Sequence, residues 1–514
     1  MLIVKKYIVI IACCFVSLQL VAQNNPNAQY RTPVFLDSMR AQKIKAVMPV
    51  VRKMYNDFAL TNHIPGYAFG ILLDGKLLFA GSDGYSDIAN KIPATTQSMF
   101  RIASMSKSFT AMAIVQLRDA GKLQLDEPVS TYIPALKNQG LTKDAAEITI
   151  RQLLTHSAGF PEDNPWGDRQ LADTDEELIE LFKKGISFSN VNGTNYEYSN
   201  VGFATLGYII KKITGIPYGE YIRQHIWKPL NMQAEWEYSK ITPNILAKGY
   251  RWINNDWQEE VLLHDGIYGA MGGMITSIES FSKYMALHQY AWPARNNAEN
   301  NIIKRSSLRE MHQPWRFNSL NPSFKYTNGR ICPTSTGYGY GLAILRDCEN
   351  KLMVGHSGGL PGFGSNWRIL PDYGIGVLFL ANNTYAPAAA INLSVIDTLI
   401  TLAELTPITI LASSILTKRK NELVKLLPNF TLAETAGIFA ENFFADYLIQ
   451  SLQAEAKAIY SAAGKIISVD EVIAENQLRG YFILHGVQKN IKISFTLTPE
   501  NPGLIQEYHI SLMK

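Results

Sequence analysis

Ser104 and Lys107, three residues apart, are the pair in this chain best suited to covalent chemistry. A serine hydroxyl becomes a nucleophile when a neighbouring group removes its proton, and a partly buried lysine can accept or relay that proton. Apolar residues recur at helical spacing around the pair, at Ile102, Met105, Phe109, Ala113 and Leu117. Because positions i and i+3 share a helix face, the hydroxyl and the amine should be neighbours. By itself the pair also fits an amphipathic helix with a solvated lysine.

Two further motifs follow Ser104 along the chain. Tyr198-Ser199-Asn200 lies in a turn that leads into a predicted helix, and His356-Ser357-Gly358-Gly359 closes a predicted strand. Each one alone fits an ordinary capped loop or a glycine turn. Together they form an ordered set, with Ser-x-x-Lys on a helix, Tyr-x-Asn on a loop and a basic residue-x-Gly on a strand. This order predicts a serine nucleophile that forms an acyl-enzyme.

In these motifs the sequence resembles the serine β-lactamase-like and penicillin-binding protein family, which includes class C β-lactamases, D,D-carboxypeptidases and related esterases. Other segments resemble the family at residues 120–129, 153–160, 269–277 and 337–341. The resemblance covers about residues 30–405. It implies an α/β (α+β) transpeptidase-like fold, in which an antiparallel sheet is flanked by helices and joined to a helical subdomain.

The resemblance also implies a role for each matching residue. Ser104 would attack the substrate carbonyl, and Lys107 and Tyr198 would share the proton transfers. Tyr198 is favoured as the base, held nearly anionic by neighbouring positive charge, because an unperturbed phenol has a pKa of about 10. Asn200 would orient Lys107 or the substrate amide.

The third motif would complete the site. The backbone N–H groups of Ser104 and Gly359, beside Gly358, would stabilise the oxyanion of the tetrahedral intermediate. His156, in the 153–160 segment, matches a structural position of the family and is expected to have no catalytic role.

His356 departs from the usual pattern, since most β-lactamases and penicillin-binding proteins have a lysine there that binds a substrate carboxylate. Histidine is shorter and largely neutral near pH 7. It favours an ester or D-amino acid peptide substrate, as in esterase-like or carboxypeptidase-like enzymes, over efficient β-lactam hydrolysis. Two alternatives stay open: a true β-lactamase, and a non-catalytic penicillin-recognising sensor or scaffold.

Composition excludes several function classes. The chain has 514 residues, of which 47% are hydrophobic and 18% charged, so bulk disorder is not expected. A net charge of +4 on this length does not indicate nucleic-acid binding. No phosphate-loop or metal-binding motif is present, so no cofactor and no metal are expected. The expected partner is a small-molecule or peptide substrate, with the bacterial cell wall as one source, and the oligomeric state stays open.

The N-terminus predicts export. Lys5 and Lys6 precede an apolar run that ends near Ala22, which is typical of a signal peptide over residues 1–22. The run is shorter than the ~20 residues of a membrane span, so no stable span is expected. A lipoprotein anchored through Cys13 is the less favoured alternative. The predicted location is the bacterial periplasm or the extracellular space.

Changes in the hydrophobic pattern along the chain predict the domain boundaries. A hydrolase domain is expected over 30–405, a linker over 406–425 and a small α+β domain of unknown role over 426–514. Strands are predicted over 66–73, 76–81, 339–345, 351–356, 365–370 and 374–380, and a first helix over 34–58. Cys332 and Cys348 could pair in an oxidising compartment or remain as buried thiols.

Overall fold

The computed structural model describes residues 30–326 and 329–513. It divides into two compact units, Phe35–Thr409 and the chain from Ile410 onward. The predicted signal peptide and Cys13 lie outside the described residues. Within the described ranges, no helix has the length and apolarity needed to cross a membrane.

Runs of strands and runs of helices follow one another along the first unit. The strands are β1 Gly66–Leu73, β2 Lys76–Asp87, β3 Ile92–Pro93, β4 Phe100–Arg101, β5 Ala234–Glu235, β6 Tyr250–Ile253, β7 Asp256–Glu259, β8 Ile275–Thr276, β9 Arg316–Asn321, β10 Thr334–Tyr338, β11 Ala343–Asp347, β12 Leu352–Leu360, β13 Phe363–Leu370 and β14 Ile375–Ala381. The helices are α1 Arg40–Thr61, α2 Lys107–Asp119, α3 Ile150–Leu154, α4 Asp175–Lys184, α5 Asn200–Thr214, α6 Tyr218–Ile222, α7 Gly269–Gly272, α8 Ile278–Tyr290, α9 Arg305–Met311 and α10 Ala388–Leu402.

A nine-stranded antiparallel sheet, in the order β3-β2-β1-β14-β13-β12-β11-β10-β9, organises the first unit. The predicted Asp74-Gly75 turn joins β1 to β2, and β1 also pairs with β14, with Phe69 opposite Phe379. Strand β1 is buried along its whole length, because both faces of the sheet are covered. The antiparallel sheet flanked by helices agrees with the fold predicted from the sequence.

Alternate residues of β1 enter different apolar cores, as the two-residue period of a strand requires. Phe69 and Ile71 pack with α1 and α10 on one face of the sheet. Ala68 and Leu72 belong to the larger core on the other face, which α8 shares with the helical region around α2 and α5. This arrangement places α2 inside the protein, between the sheet and the helical subdomain.

Three predicted elements differ from the observed ones. The first helix is Arg40–Thr61, so the prediction over 34–58 begins too early. The strand predicted over 339–345 begins too early: β10 ends at Tyr338 and β11 runs from Ala343 to Asp347, because Gly341 takes a left-handed φ of 65° and turns the chain between them. The helix predicted from Ser104 begins as a 3₁₀ turn, Ala103–Ser106, before α2.

The unit from Ile410 onward has its own apolar core. Its helices are α11 Ser414–Leu426, α12 Phe443–Asp446 and α13 Ile449–Ala463, and its strands are β15 Ile466–Val469, β16 Ile473–Ala474, β17 Arg479–Gly486, β18 Ile491–Leu497 and β19 Ile505–Leu512. Helix α11 occupies the second half of the stretch 406–425 that the sequence assigns to a linker, and it ends one residue beyond that stretch. Its Leu416 and Leu423 are fully buried in the core of this unit.

Cys332 and Cys348 form a disulfide bond, which resolves the alternative that the sequence left open. Their Cα atoms are 5.4 Å apart, and the bond ties the segment before β10 to the turn after β11. Closing a loop of this size is expected to stabilise the folded chain by about 3 kcal/mol.

Candidate active site

Ser104 lies on the 3₁₀ turn Ala103–Ser106, at the N-terminal end of the α2 segment. Ala103, just before it, has a left-handed φ of 51°, which turns the chain sharply into the helix. The first N–H groups of a helix have no intrahelical acceptor, so the Ser104 N–H is placed to bind an anion. Nearly all of α2 is buried, and Lys107 at its start is fully buried. The simple alternative of a solvated lysine is therefore excluded.

The Lys107 amine reaches three oxygen atoms. Its Nζ lies 3.0 Å from the Ser104 hydroxyl, 2.7 Å from Asn200 Oδ1 and 3.0 Å from the Met271 carbonyl. Burial lowers the pKa of Lys107 to about 7, although the negative charges of Asp168 and Asp163 act in the opposite direction. A neutral amine donates two protons and keeps one lone pair. With Asn200 and Met271 as acceptors, that lone pair is available to the Ser104 proton.

Tyr198 completes the surroundings of the nucleophile. Its phenol is hydrogen-bonded to Ser104, and its ring lies 4.8 Å from Lys107 Nζ. Burial raises the pKa of Tyr198 well above 10, and the hydrogen bond to Ser104 opposes that shift only in part. The sequence-based expectation of a nearly anionic Tyr198 is therefore not met, because the surroundings favour the protonated phenol. They favour a neutral phenol that relays a proton, and they make Lys107 the better base.

Two buried side chains fix the loop that carries Tyr198 and Asn200. The Asp163 carboxylate accepts the backbone N–H groups of Asn200, at 2.7 Å, and Val201, at 2.8 Å, at the start of α5. His156 Nδ1 accepts the backbone N–H of Ser199 at 3.0 Å. His156 thus positions the loop, as expected of a structural histidine. Sequence reasoning missed Asp163, because it lies 37 residues from Asn200 and no local pattern connects the two.

Strand β12 brings the third motif to the nucleophile. The pairing of β11 with β12 ends at Gly355, so the strand beyond this residue faces the Ser104 turn. A Cβ atom at Gly358 would lie 2.2 Å from the Ile102 carbonyl oxygen, which shows how closely strand and turn approach. Gly358 and Gly359 both line the cleft that Ser104 opens into. The residues predicted to form the oxyanion hole are therefore brought together with the nucleophile.

His356 lines the same cleft as a neutral ring. Its Nδ1 contacts the Ser357 carbonyl, so this nitrogen carries the proton, and its Nε2 accepts the Tyr338 hydroxyl at 2.7 Å. Burial, together with the Lys107 charge, lowers the pKa of His356 to about 3. Both ring nitrogens are engaged within the protein. His356 therefore offers no cation to a substrate carboxylate at neutral pH.

The cleft has a volume of about 400 Å³. Besides Ser104, Tyr198 and the third motif, its walls include Asp168 and Tyr385, neither of which the sequence analysis singled out. The Tyr385 hydroxyl donates to Asp168 Oδ2 at 2.8 Å. Desolvation raises the pKa of Asp168. No motif marks either residue, and only the packing of distant loops brings them beside Ser104.

The pKa of Lys107 predicts a pH dependence for reaction at Ser104. As pH falls through 7 the amine gains a proton and loses the lone pair that takes the Ser104 proton. The rate constant for labelling by a neutral fluorophosphonate should therefore fall about tenfold per pH unit below pH 7. Labelling reactions that are quenched at set times between pH 5 and 9, and corrected for spontaneous hydrolysis of the probe, measure this rate constant. A rate that is constant between pH 5 and 8 would contradict this role of Lys107.

The family model described as "Beta-lactamase" matches residues 42–399, which is most of the chain. The chain belongs to the beta-lactamase family. The matched residues include all three motifs of the site. Membership of this family supports the serine-hydrolase class at the level of the family.

Curated relatives of this beta-lactamase family member include two named bacterial proteins. Penicillin-binding protein 4* of Bacillus subtilis is 28% identical over 329 residues, which cover 60% of this chain and 66% of the relative. Protein flp of Staphylococcus aureus is 28% identical over 333 residues, which cover 63% of this chain and 61% of the relative. The match thus spans less than two thirds of the length of either relative.

Solved structures share the fold. An octameric penicillin-binding protein homologue from Pyrococcus abyssi gives a TM-score of 0.55 at 21% identity, covering 91% of this chain and 96% of that one. A penicillin-binding protein from Bacillus halodurans gives 0.54 at 22% identity, over 67% and 98% of the two chains. A D-stereospecific amidohydrolase from Streptomyces sp. gives 0.51 at 22% identity, over 68% and 96%.

Proposed function

We propose that this protein is an exported serine hydrolase that forms an acyl-enzyme at Ser104 on an amide or ester substrate. The observation that carries the proposal is the buried Lys107 amine, 3.0 Å from the Ser104 hydroxyl and depressed in pKa to about 7. A base with a pKa near the working pH combines the correct protonation state with useful proton affinity.

Acylation follows from this arrangement. Lys107 Nζ takes the Ser104 proton as Oγ attacks the carbonyl carbon, and the N–H groups of Ser104 and Gly359 stabilise the resulting oxyanion. The intermediate then collapses and expels an amine or an alcohol. The leaving group receives its proton from the Tyr198 hydroxyl, and Lys107, whose Nζ lies 4.8 Å from the Tyr198 ring, returns to the phenolate the proton that it took from Ser104. Water next attacks the ester with the same groups as base, and the carboxylic acid and free Ser104 are released.

The neutral state of His356 favours substrates that need no cation for a carboxylate. Esters and D-amino acid peptides meet that condition better than β-lactams, whose carboxylate a lysine binds in most β-lactamases. The Streptomyces neighbour is named as a D-stereospecific amidohydrolase, which supports D-amino acid amides as the first class to test. Peptides of the bacterial cell wall are a natural source of such substrates.

Export to the periplasm or the extracellular space is supported by two features. Lys5 and Lys6 precede an apolar segment of signal-peptide type. The disulfide between Cys332 and Cys348 is of the kind that persists in oxidising compartments.

Covalent labelling and a substrate panel together test the proposal. A fluorophosphonate should add one equivalent to the native protein, and peptide mass mapping should place the adduct on Ser104. Short p-nitrophenyl esters and D-amino acid amides should then be turned over repeatedly. The absence of an adduct on Ser104 would overturn the proposal.

The same panel separates the alternatives. Turnover of the cephalosporin nitrocefin as efficient as that of the esters would instead identify a true β-lactamase. Stoichiometric acylation with no turnover of any substrate would instead identify a penicillin-recognising sensor.

A further inference from the structure

Asp168 is a buried carboxylate in the wall of the cleft that the acylation chemistry does not use. Its side chain is only 1% exposed, and it lines the same cleft as Ser104. Oδ2 accepts the Tyr385 hydroxyl at 2.8 Å. Oδ1 accepts no hydrogen bond from any residue that the structure describes. A buried carboxylate oxygen without a donor is costly, so a donor supplied by a ligand would stabilise it.

Lys107 does not satisfy this oxygen. Its charge acts on Asp168 through space, but its amine bonds to Ser104, Asn200 and the Met271 carbonyl. A hydrogen-bond donor for Asp168 Oδ1 must therefore come from another group.

The side chains that line the cleft favour the binding of a positively charged group. No lysine or arginine is found among the described residues that line it, and His356 is neutral. Two nearby guanidinium groups, that of Arg169 and that of Arg251 on β6, both pair with Glu260, at 3.5 Å and 2.6 Å. The charge of Arg169 also acts on Asp168 through space and opposes the rise in its pKa that desolvation causes. Among the described residues that line the cleft, Asp168 is thus the one carboxylate, and no lysine or arginine of this lining faces it.

Tyr385 connects this carboxylate to the reacting carbonyl. Its ring lies against the oxyanion strand, since a Cβ atom at Gly359 would come within 2.8 Å of the ring. Its hydroxyl proton points to Asp168, which leaves the oxygen lone pairs free to accept a proton donor in the cleft. A donor bound there would lie close to a carbonyl held at Gly359, as the α-amine of an amino acid does.

We infer that Asp168 and Tyr385 form an ammonium subsite that binds the free α-amine of an amino-acid amide or ester. The ammonium group donates to the Tyr385 oxygen and to Asp168 Oδ1, and the acyl carbonyl beside it lies at Ser104. The inference rests on the proposed function and narrows its substrate class to amino-acid derivatives with an unblocked amine.

A matched pair of substrates tests the subsite: D-alanine p-nitroanilide and its N-acetyl derivative, compared on the full chain at pH 7. At this pH most of the unblocked substrate carries an ammonium group. The native protein should prefer it by roughly tenfold to a hundredfold in kcat/KM, which is the range for hydrogen bonds to charged groups. Asp168→Asn should bring the ratio close to one, chiefly through KM of the unblocked substrate.

The ratio is the readout because both substrates share the same acylation chemistry. Any effect of Asp168→Asn on Lys107 therefore changes both rates together and cancels. Asp173→Asn removes a carboxylate outside the cleft lining and should retain the preference. Tyr385→Phe, at a residue with 41% exposure, keeps the ring and should reduce the preference even if Asp168→Asn fails to fold.

The outcomes separate this inference from the proposed function. Equal use of the two substrates by a protein that still labels at Ser104 would overturn the subsite and leave the serine hydrolase intact. A preference that survives both Asp168→Asn and Tyr385→Phe would also overturn it. Loss of all labelling in the native protein would instead overturn the proposed function itself.

Discussion

Replacing Ser104 by alanine is expected to abolish fluorophosphonate labelling and to lower kcat/KM for esters by at least about 10³-fold. The variant loses the oxygen atom that carries the acyl group, while Lys107, Tyr198 and the oxyanion donors stay in place. The change should affect kcat, because the substrate still fits the cleft. Steady-state kinetics on a p-nitrophenyl ester and intact-mass analysis measure the two effects.

Ser108→Ala is the matched control for this variant. Ser108 is buried in the same helix, and its hydroxyl donates to the Met105 carbonyl at 2.9 Å instead of facing the cleft. Its loss should cost about 1 kcal/mol of stability and leave turnover within a few-fold. Undiminished labelling of Ser104→Ala would show that the nucleophile is another residue.

Replacing Lys107 by methionine is expected to lower the acylation rate by about 10²- to 10⁴-fold, the usual range for loss of a general base. Methionine fills the same buried space without an amine, so the proton of Ser104 has no acceptor of matched pKa. The fall in rate below pH 7 should disappear along with the group that causes it. Single-turnover labelling from pH 5 to 9 measures both effects.

Two controls accompany Lys107→Met. The variant leaves Asn200 Oδ1 and the Met271 carbonyl without their buried donor, so thermal unfolding should be recorded to confirm that it folds. Lys122→Met, at an exposed position just after α2, should behave like the native protein. A Lys107→Met variant that folds and acylates at the native rate would transfer the role of base to Tyr198.

The parts of the fold that the sequence predicted are those with local causes. The hairpin at Asp74-Gly75 follows from turn preferences, and β1 follows from an unbroken apolar run. The strand predicted over 339–345 begins four residues before β11, because glycine and tyrosine at 339–341 suit both a strand and a tight turn. Only the packing of β10 against its neighbours decides between these two.

The chemistry of the site divides in the same way. Spacing alone places Ser104 beside Lys107, since both lie within one turn of helical chain. The protonation states depend on distant residues: Tyr338, 18 positions before His356, makes that ring an acceptor, and burial keeps Tyr198 a neutral phenol. Asp168 and Tyr385, 217 positions apart, meet only in the folded chain. No sequence pattern carries that information.

The close approach at Gly358 has a consequence for how such a site can diversify. Gly358 places no side chain of its own between the strand and the turn that bears the nucleophile, and the Ser365 hydroxyl donates to the Ile102 carbonyl of that turn at 2.8 Å. Main-chain geometry and one buried hydroxyl therefore set the spacing of the oxyanion donors. That spacing stays constant when the surrounding loops change in length or composition. The geometry of the oxyanion hole and the choice of substrate can therefore change independently. New specificities can arise in the loops around the cleft while the residues around Ser104 stay the same.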